Sequence, residues 1–182
     1  MKKIVTSVSL ILFLSVGFAA GAQANPPVLP VGELKVDVDG AIGATEYPVS
    51  FESGKMTLRL ARDAKHVYAA ISGETTGWVA IGFGSPKMDA ALMVLGFVGT
   101  DGKAQLKIQR GSGHTHGDVE SDALVQFSMK ESAGVTTLEV SLKAPSVIAA
   151  GATELPVIFA MGGADSFIGF HRARSSQLVR LK

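Results

Sequence analysis

Apolar and polar residues alternate at period two along much of this chain. Met56-Thr57-Leu58-Arg59-Leu60 is the clearest case, the pattern of a strand with one buried face. Residues 66–72 repeat it, with Val67, Ala69 and Ile71 on one side. The polar turn Arg62-Asp63-Ala64-Lys65 between the two runs predicts a hairpin. Apolar runs at 77–83 and 91–98 flank Gly84-Ser85-Pro86-Lys87, a loop by composition. Residues 104–109 alternate again with Leu106 and Ile108 inward. Strands are expected at 123–129 and 136–142 around a turn at 131–134, then at 155–161 and at 177–181. Residues 111–118 read as a polar, Gly-rich surface loop, and a helical turn or two is expected near Ser146 to Ala150. That makes about nine short strands and no long 3.6-residue periodicity, which predicts an all-β antiparallel sandwich or barrel.

The N-terminus departs from this pattern. Lys2 and Lys3 precede an apolar run from Val8 to Phe18, and Ala22-Gln23-Ala24 follows. A positive start, a short apolar stretch and an A-x-A box describe a secretory signal peptide cleaved after Ala24. The expected organisation is a signal peptide over 1–24, a Pro-rich leader over 25–33 and one β-sandwich domain over 34–182. Localisation follows as periplasmic or secreted, with no membrane span in the mature chain. Lys2 and Lys3 leave with the leader, so the 17 basic residues fall to 15 against 16 acidic ones. No basic patch dominates, which argues against nucleic acid as a partner. The chain has no cysteine, so thiolate ligands, iron–sulfur clusters and covalent haem attachment are excluded.

Few side chains point to chemistry on spacing alone. His114-Thr115-His116 places two imidazoles at i and i+2, which can share a Zn²⁺ or Cu²⁺ ion. Asp118 and Glu120 are nearby as a third ligand, and a polar loop explains the same residues without any metal. No G-x-S-x-G elbow, paired carboxylates or Gly-rich phosphate loop marks an enzyme. An electron carrier or a binding module is therefore expected rather than a catalyst.

A more specific signal lies in two segments. One is Thr75-Thr76-Gly77-Trp78-Val79-Ala80-Ile81-Gly82-Phe83-Gly84 followed by Met88-Asp89-Ala90-Ala91-Leu92-Met93-Val94-Leu95-Gly96-Phe97; the other is Gly169-Phe170-His171-Arg172. Together with Asp39-Gly40 and Glu46-Tyr47 upstream, they resemble the DOMON family. The likeness is to its haem-b-binding branch, similar to the cytochrome domain of cellobiose dehydrogenase, and covers roughly Leu34 to Leu181. It implies an immunoglobulin-like antiparallel β-sandwich holding a noncovalent haem b between a Met and a His. Carried over by position, these axial ligands are Met88 and His171. Met93 is the competing Met, and its place in the alternation beside Ala91, Leu95 and Phe97 reads as core. The family often has an acidic residue three or four places after the first Met, where this chain has Ala91-Leu92.

Met and His ligation together close both axial positions and raise the reduction potential, which suits electron transfer. Trp78, Phe83, Phe97, Phe159, Phe167 and Phe170 are candidate walls for the haem. Lys87, Arg172, Arg174 and Ser175 are candidates for its propionates. The implied partner is a separate redox protein, such as a membrane cytochrome or a dehydrogenase. The alternatives are a haem-free DOMON module binding a sugar or other small ligand, and a metal-binding protein using His114 and His116.

Overall fold

The alternating runs become strands of two stacked sheets in a computed structural model, which describes residues 25–33 and 35–182. The expected signal peptide lies outside those residues. In chain order the strands are β1 (Val28–Leu29), β2 (Val49–Ser53), β3 (Met56–Arg62), β4 (His66–Gly73), β5 (Val79–Phe83) and β6 (Leu92–Val98). They continue with β7 (Ala104–Ser112), β8 (Thr115–Asp118), β9 (Leu124–Ser132), β10 (Val135–Lys143), β11 (Glu154–Gly162) and β12 (His171–Leu181). One sheet has the order β1-β12-β11-β5-β6-β7-β8 and the other β2-β3-β4-β10-β9. Every pairing is antiparallel except β1 with β12. This is the expected all-β sandwich.

The core lies between the sheets. Leu58, Leu60, Ile71, Ile81, Leu138, Leu142 and Val157 are each fully buried there, and burying such a side chain contributes about 1.5–3 kcal/mol. Each outer face carries a smaller apolar cluster. Over the five-stranded sheet, Tyr47 packs on Ala61 and Ala70 with Val36 and Ile42. Over the seven-stranded sheet, Trp78, Phe97 and Ala160 pack with Ala80 and Phe167.

Three segments pair beyond what the alternation predicts. The Pro-rich leader over 25–33 pairs with the domain: Val28–Leu29 pair with Arg180 and Leu181, and Arg62 Nε donates to the Leu29 carbonyl at 3.1 Å. The stretch 111–118 is not only loop, because β7 and β8 form a hairpin there. The last strand begins at His171, six residues earlier than its apolar pattern suggests. All three segments pair through backbone groups and carry little or no alternating apolar signal. The helical turn is present but short, over Ala144–Val147.

The β3–β4 turn supplies a pH-dependent lock. Asp63 accepts the N–H groups of Lys65 and His66 at 2.7 Å each and the Tyr68 hydroxyl at 2.8 Å. Partial desolvation pushes its pKa up, but these hydrogen bonds outweigh it and hold the carboxyl at about 2. A depressed carboxylate pKa stabilises the fold above the unfolded value of about 3.9, and that contribution fades as pH falls through the folded value. Asp63→Asn is therefore expected to cost roughly 1 kcal/mol at neutral pH. The gap to wild type should close between about pH 4 and pH 2. Urea denaturation of both proteins checks this; a gap that persists undiminished at the acid end contradicts it.

Candidate functional site

On the outer face of the seven-stranded sheet, the parity opposite to the core lines a cleft of about 740 Å³. Its floor is Ala80 and Gly82 from β5, Met93 and Leu95 from β6, and Ile158 and Ala160 from β11. Small residues keep that floor low: a Cβ on Gly82 would stand 2.7 Å from Ile158 Cγ1 and 2.9 Å from Met93 Cγ. One edge is formed by His171, Arg174, Ser175 and Ser176 of β12. The other is formed by Gln109 of β7, by His114, and by His116 of β8. Lys87, Met88 and Asp89 close one end.

A β-bulge places His171. Gly162 pairs with His171 but Met161 pairs with Ala173, so Arg172 is the extra residue. Ala173 packs toward the core. In a regular strand His171, two residues earlier, would face the same way. The bulge reverses it onto the cleft side with Arg174, the kind of re-aiming for which bulges are used. There the imidazole meets Trp78 edge-on, ring centroids 5.6 Å apart. Trp78 is itself buried against Gly162, where a Cβ would fall 2.0 Å from Nε1. That indole N–H has no hydrogen-bond partner among the described residues. Desolvation, then the Arg174 guanidinium and His116, hold the His171 pKa below its ordinary value. These surroundings favour the neutral ring, whose lone pair can be offered to a metal.

Met88 is placed by backbone contacts. Ala90 N donates to Gly111 O and Gly111 N to Ala91 O, both at 3.1 Å. Gly113 N donates to Asp89 Oδ1 at 2.7 Å. These bonds dock residues 88–91 on the β7–β8 hairpin so closely that a Cβ on Gly111 would stand 1.7 Å from Met88 O. Met88 is half-buried there.

Of the residues singled out from sequence, the cleft thus gathers Met88, Met93, His171, Trp78, Lys87, Arg174, Ser175, Phe159 and Phe167. Phe167 rests on Phe97 at 4.8 Å, with Lys107 Nζ 5.2 Å from its ring centre. The other aromatic walls are corrected. Phe83 belongs to the inter-sheet core, because it shares strand parity with Ile81, and Phe159 is part of that core beside Val157 while also lining the cleft. Phe170 is 95% exposed in the loop before β12, as is its neighbour Ile168 at 94%. Arg172, the bulged residue, is not among the lining side chains and lies over Gly163. Met93 is not core either: it stands on the cleft floor, 7% exposed. Strand β6 is buried on both faces, so its alternation carries no sign of which face is core.

His114 and His116 join the same cleft rather than forming a separate site. Among the described residues no group of three or more His, Cys, Asp or Glu side chains is arranged to hold a metal ion. Asp118, the expected third ligand, is engaged elsewhere: Lys107 Nζ and Gln109 Nε2 each donate to it at 2.6 Å. Gln109, only 5% exposed, was not anticipated from sequence. Its Oε1 accepts from His116 Nδ1.

The donor set is a thioether and a neutral imidazole over an apolar floor with cations at the rim. Its volume lies within the range of about 300–1,000 Å³ usual for small-molecule and cofactor sites. Such residues fit an apolar, planar, metal-bearing ligand with anionic edges, and a haem is one.

Comparison with known proteins supports the fold. The DOMON domain model matches residues 52–147, and no curated protein sequence matches the chain. Among solved structures, the cytochrome b domain of pyranose dehydrogenase from Coprinopsis cinerea is similar with a TM-score of 0.55 at 8% identity. That match covers 72% of this chain and 80% of that one. The cytochrome domain of Myriococcum thermophilum cellobiose dehydrogenase gives 0.54 at 14% identity, over 74% and 81%. A family 9 carbohydrate-binding module from Caldicellulosiruptor kristjanssonii, in complex with cellotriose, gives 0.53 at 10% identity, over 87% and 94%.

Proposed function

The chain belongs to the DOMON family, and from that premise we propose that it is a b-type cytochrome carrying electrons outside the cytoplasm. The observation behind this reading is that one cleft collects Met88, from the β5–β6 connection docked on the β7–β8 hairpin, and His171 from β12. A haem bound there supplies one-electron redox chemistry. His171 would hold it as the nitrogen ligand, and Met88, fixed by its docked backbone, as the sulfur ligand. Lys87 and Arg174 stand at the rim, placed to neutralise propionates. The apolar floor of Ala80, Leu95, Ile158 and Ala160 excludes water from the haem face. Two of the similar structures are cytochrome domains, which agrees with this assignment. The leader over 1–24 marks the chain for export. No helix of the described residues is long and apolar enough to cross a membrane, and the electron donor or acceptor is read as a separate redox protein.

The competing reading is a sugar-binding module, favoured by the greater coverage of the carbohydrate-binding structure. Sugars stack on open aromatic faces. Here Trp78 is 5% exposed and Phe167 rests on Phe97, so the cleft offers no such platform. The two readings part on one experiment. Residues 25–182 incubated with haem are expected to take it up and show a six-coordinate, low-spin b-type spectrum when reduced. Isothermal titration with cellotriose should show no heat. A folded protein that takes up no haem overturns the proposal, and cellotriose binding in the same cleft would establish its rival.

A further inference from the structure

We propose that His116 is a second axial donor on Met88's side of the cleft, so that either a thioether or an imidazole can stand opposite His171. This inference rests on the haem reading above. Met88 is docked on Gly111, and Gly111 is the cross-strand partner of His116. Both side chains line the cleft. His171 stands on β12, across the intervening strands β11, β5, β6 and β7. His116 therefore stands on the wall opposite His171, with Met88 at the end of the cleft that is docked against the same hairpin.

His116 has what a metal-bound imidazole ordinarily has. Such a ring donates its other N–H to a fixed acceptor, which sets its tautomer and orientation. Gln109 is that acceptor. The Asp118 carboxylate can only accept, so Gln109 must turn its NH₂ toward Asp118 and its oxygen toward His116 Nδ1. The proton sits on Nδ1, and Nε2 keeps a lone pair with no protein partner among the described residues. Gln109 is 5% exposed, a costly place for an amide unless both ends are used. His171, by contrast, has no hydrogen-bonded side-chain partner among the described residues and only the edge of Trp78 beside it.

Exchange between the two donors balances simply. The Met88 sulfur–iron bond breaks and a His116 Nε2–iron bond forms, each through the donor's own lone pair. No proton moves, because Nδ1 keeps its hydrogen bond to Gln109. Thioether sulfur suits the softer ferrous ion and imidazole the harder ferric ion. Met88 is thus the partner of the reduced state and His116 of the oxidised one.

The test uses haem-loaded Met88→Leu, Met88→Leu/His116→Ala and Met88→Leu/Gln109→Ala, read by visible and EPR spectroscopy. Met88→Leu is expected to stay six-coordinate and low-spin, with a bis-imidazole EPR signature and a lowered midpoint potential. Removing His116 as well should turn the iron high-spin. Met88→Leu/Gln109→Ala keeps His116 and His171 but removes the partner of Nδ1. Loss of such a partner typically costs about 10–100-fold in metal affinity, so the low-spin fraction should fall there too, which covers the case of a misfolded His116 variant. A Met88→Leu protein that is already high-spin overturns the inference and leaves the haem reading standing. So does a double variant that stays low-spin, which would point to Met93. A wild-type protein without haem removes both.

Discussion

His171→Ala is expected to weaken haem binding by on the order of 100-fold or more and to leave the residual iron high-spin. Outer-sphere partners of a metal ligand are already worth about 10–100-fold, and the ligand itself contributes at least that much. His171 is the proposed nitrogen donor of its wall, and the other cleft imidazoles, His114 and His116, stand on the β7–β8 hairpin across the sheet. The haem-free fold should hardly notice. His171 is exposed at the cleft mouth and makes an edge contact with Trp78 rather than a core contact, so the unfolding free energy should move by less than about 0.5 kcal/mol. Haem titration and urea denaturation of the same sample separate the two effects. A variant with wild-type spectrum and affinity removes His171 from the site.

What the sequence could and could not reveal about this site follows strand by strand. The alternation in 56–60 and 66–72 was legible because each run has a core face and a more polar face, Leu58 against Arg59 and Val67 against Tyr68. Phe83 was equally legible in principle: it shares parity with Val79 and Ile81, and parity alone assigns it to the core. Met93 was not, since β6 is buried on both sides and period two then fixes only relative orientation. The two proposed ligand positions came from family resemblance, and the structure shows how both come to line one cleft. His171 reaches the cleft through a bulge at Arg172, and one inserted residue reverses a side chain without leaving any mark in hydropathy. His116 lies on a four-residue strand, Thr115–Asp118, with no apolar residue at all. Its partner Gln109 looks like any polar residue of an alternating strand. Its role appears only when β7 and β8 pair and set it beside Asp118 and His116.

The second large effect falls on the opposite face, where Glu139→Ala is expected to cost about 3–5 kcal/mol while leaving haem binding intact. Glu139 is fully buried in the middle of β10, on the outer side of the five-stranded sheet. It accepts the Tyr47 hydroxyl at 2.8 Å, Gly40 N at 2.7 Å and Asp39 N at 3.3 Å. Burial, then the hydrogen bond to Glu139 and its charge, push the Tyr47 pKa far up, so Tyr47 remains a donor across the physiological range. One carboxylate therefore ties the segment that carries Asp39, Gly40 and Tyr47 to the sheet, over Ala61 and Ala70. Truncation to alanine orphans several donors at once. A buried group left without its partner costs about 1–3 kcal/mol, which sets the size of the loss and makes it larger than that of most single substitutions. Glu139→Gln keeps an acceptor for one donor and turns an NH₂ toward the others, so it should fall between wild type and alanine. The cleft lies beyond the core on the other sheet, too far for these contacts to be shared, and energies at such distant sites add. Denaturation midpoints for the three proteins, with haem spectra recorded on each, test both halves of this expectation. A loss below about 1 kcal/mol for Glu139→Ala would show that water replaces the carboxylate without penalty. A changed spectrum would show that the two faces of the sandwich are coupled.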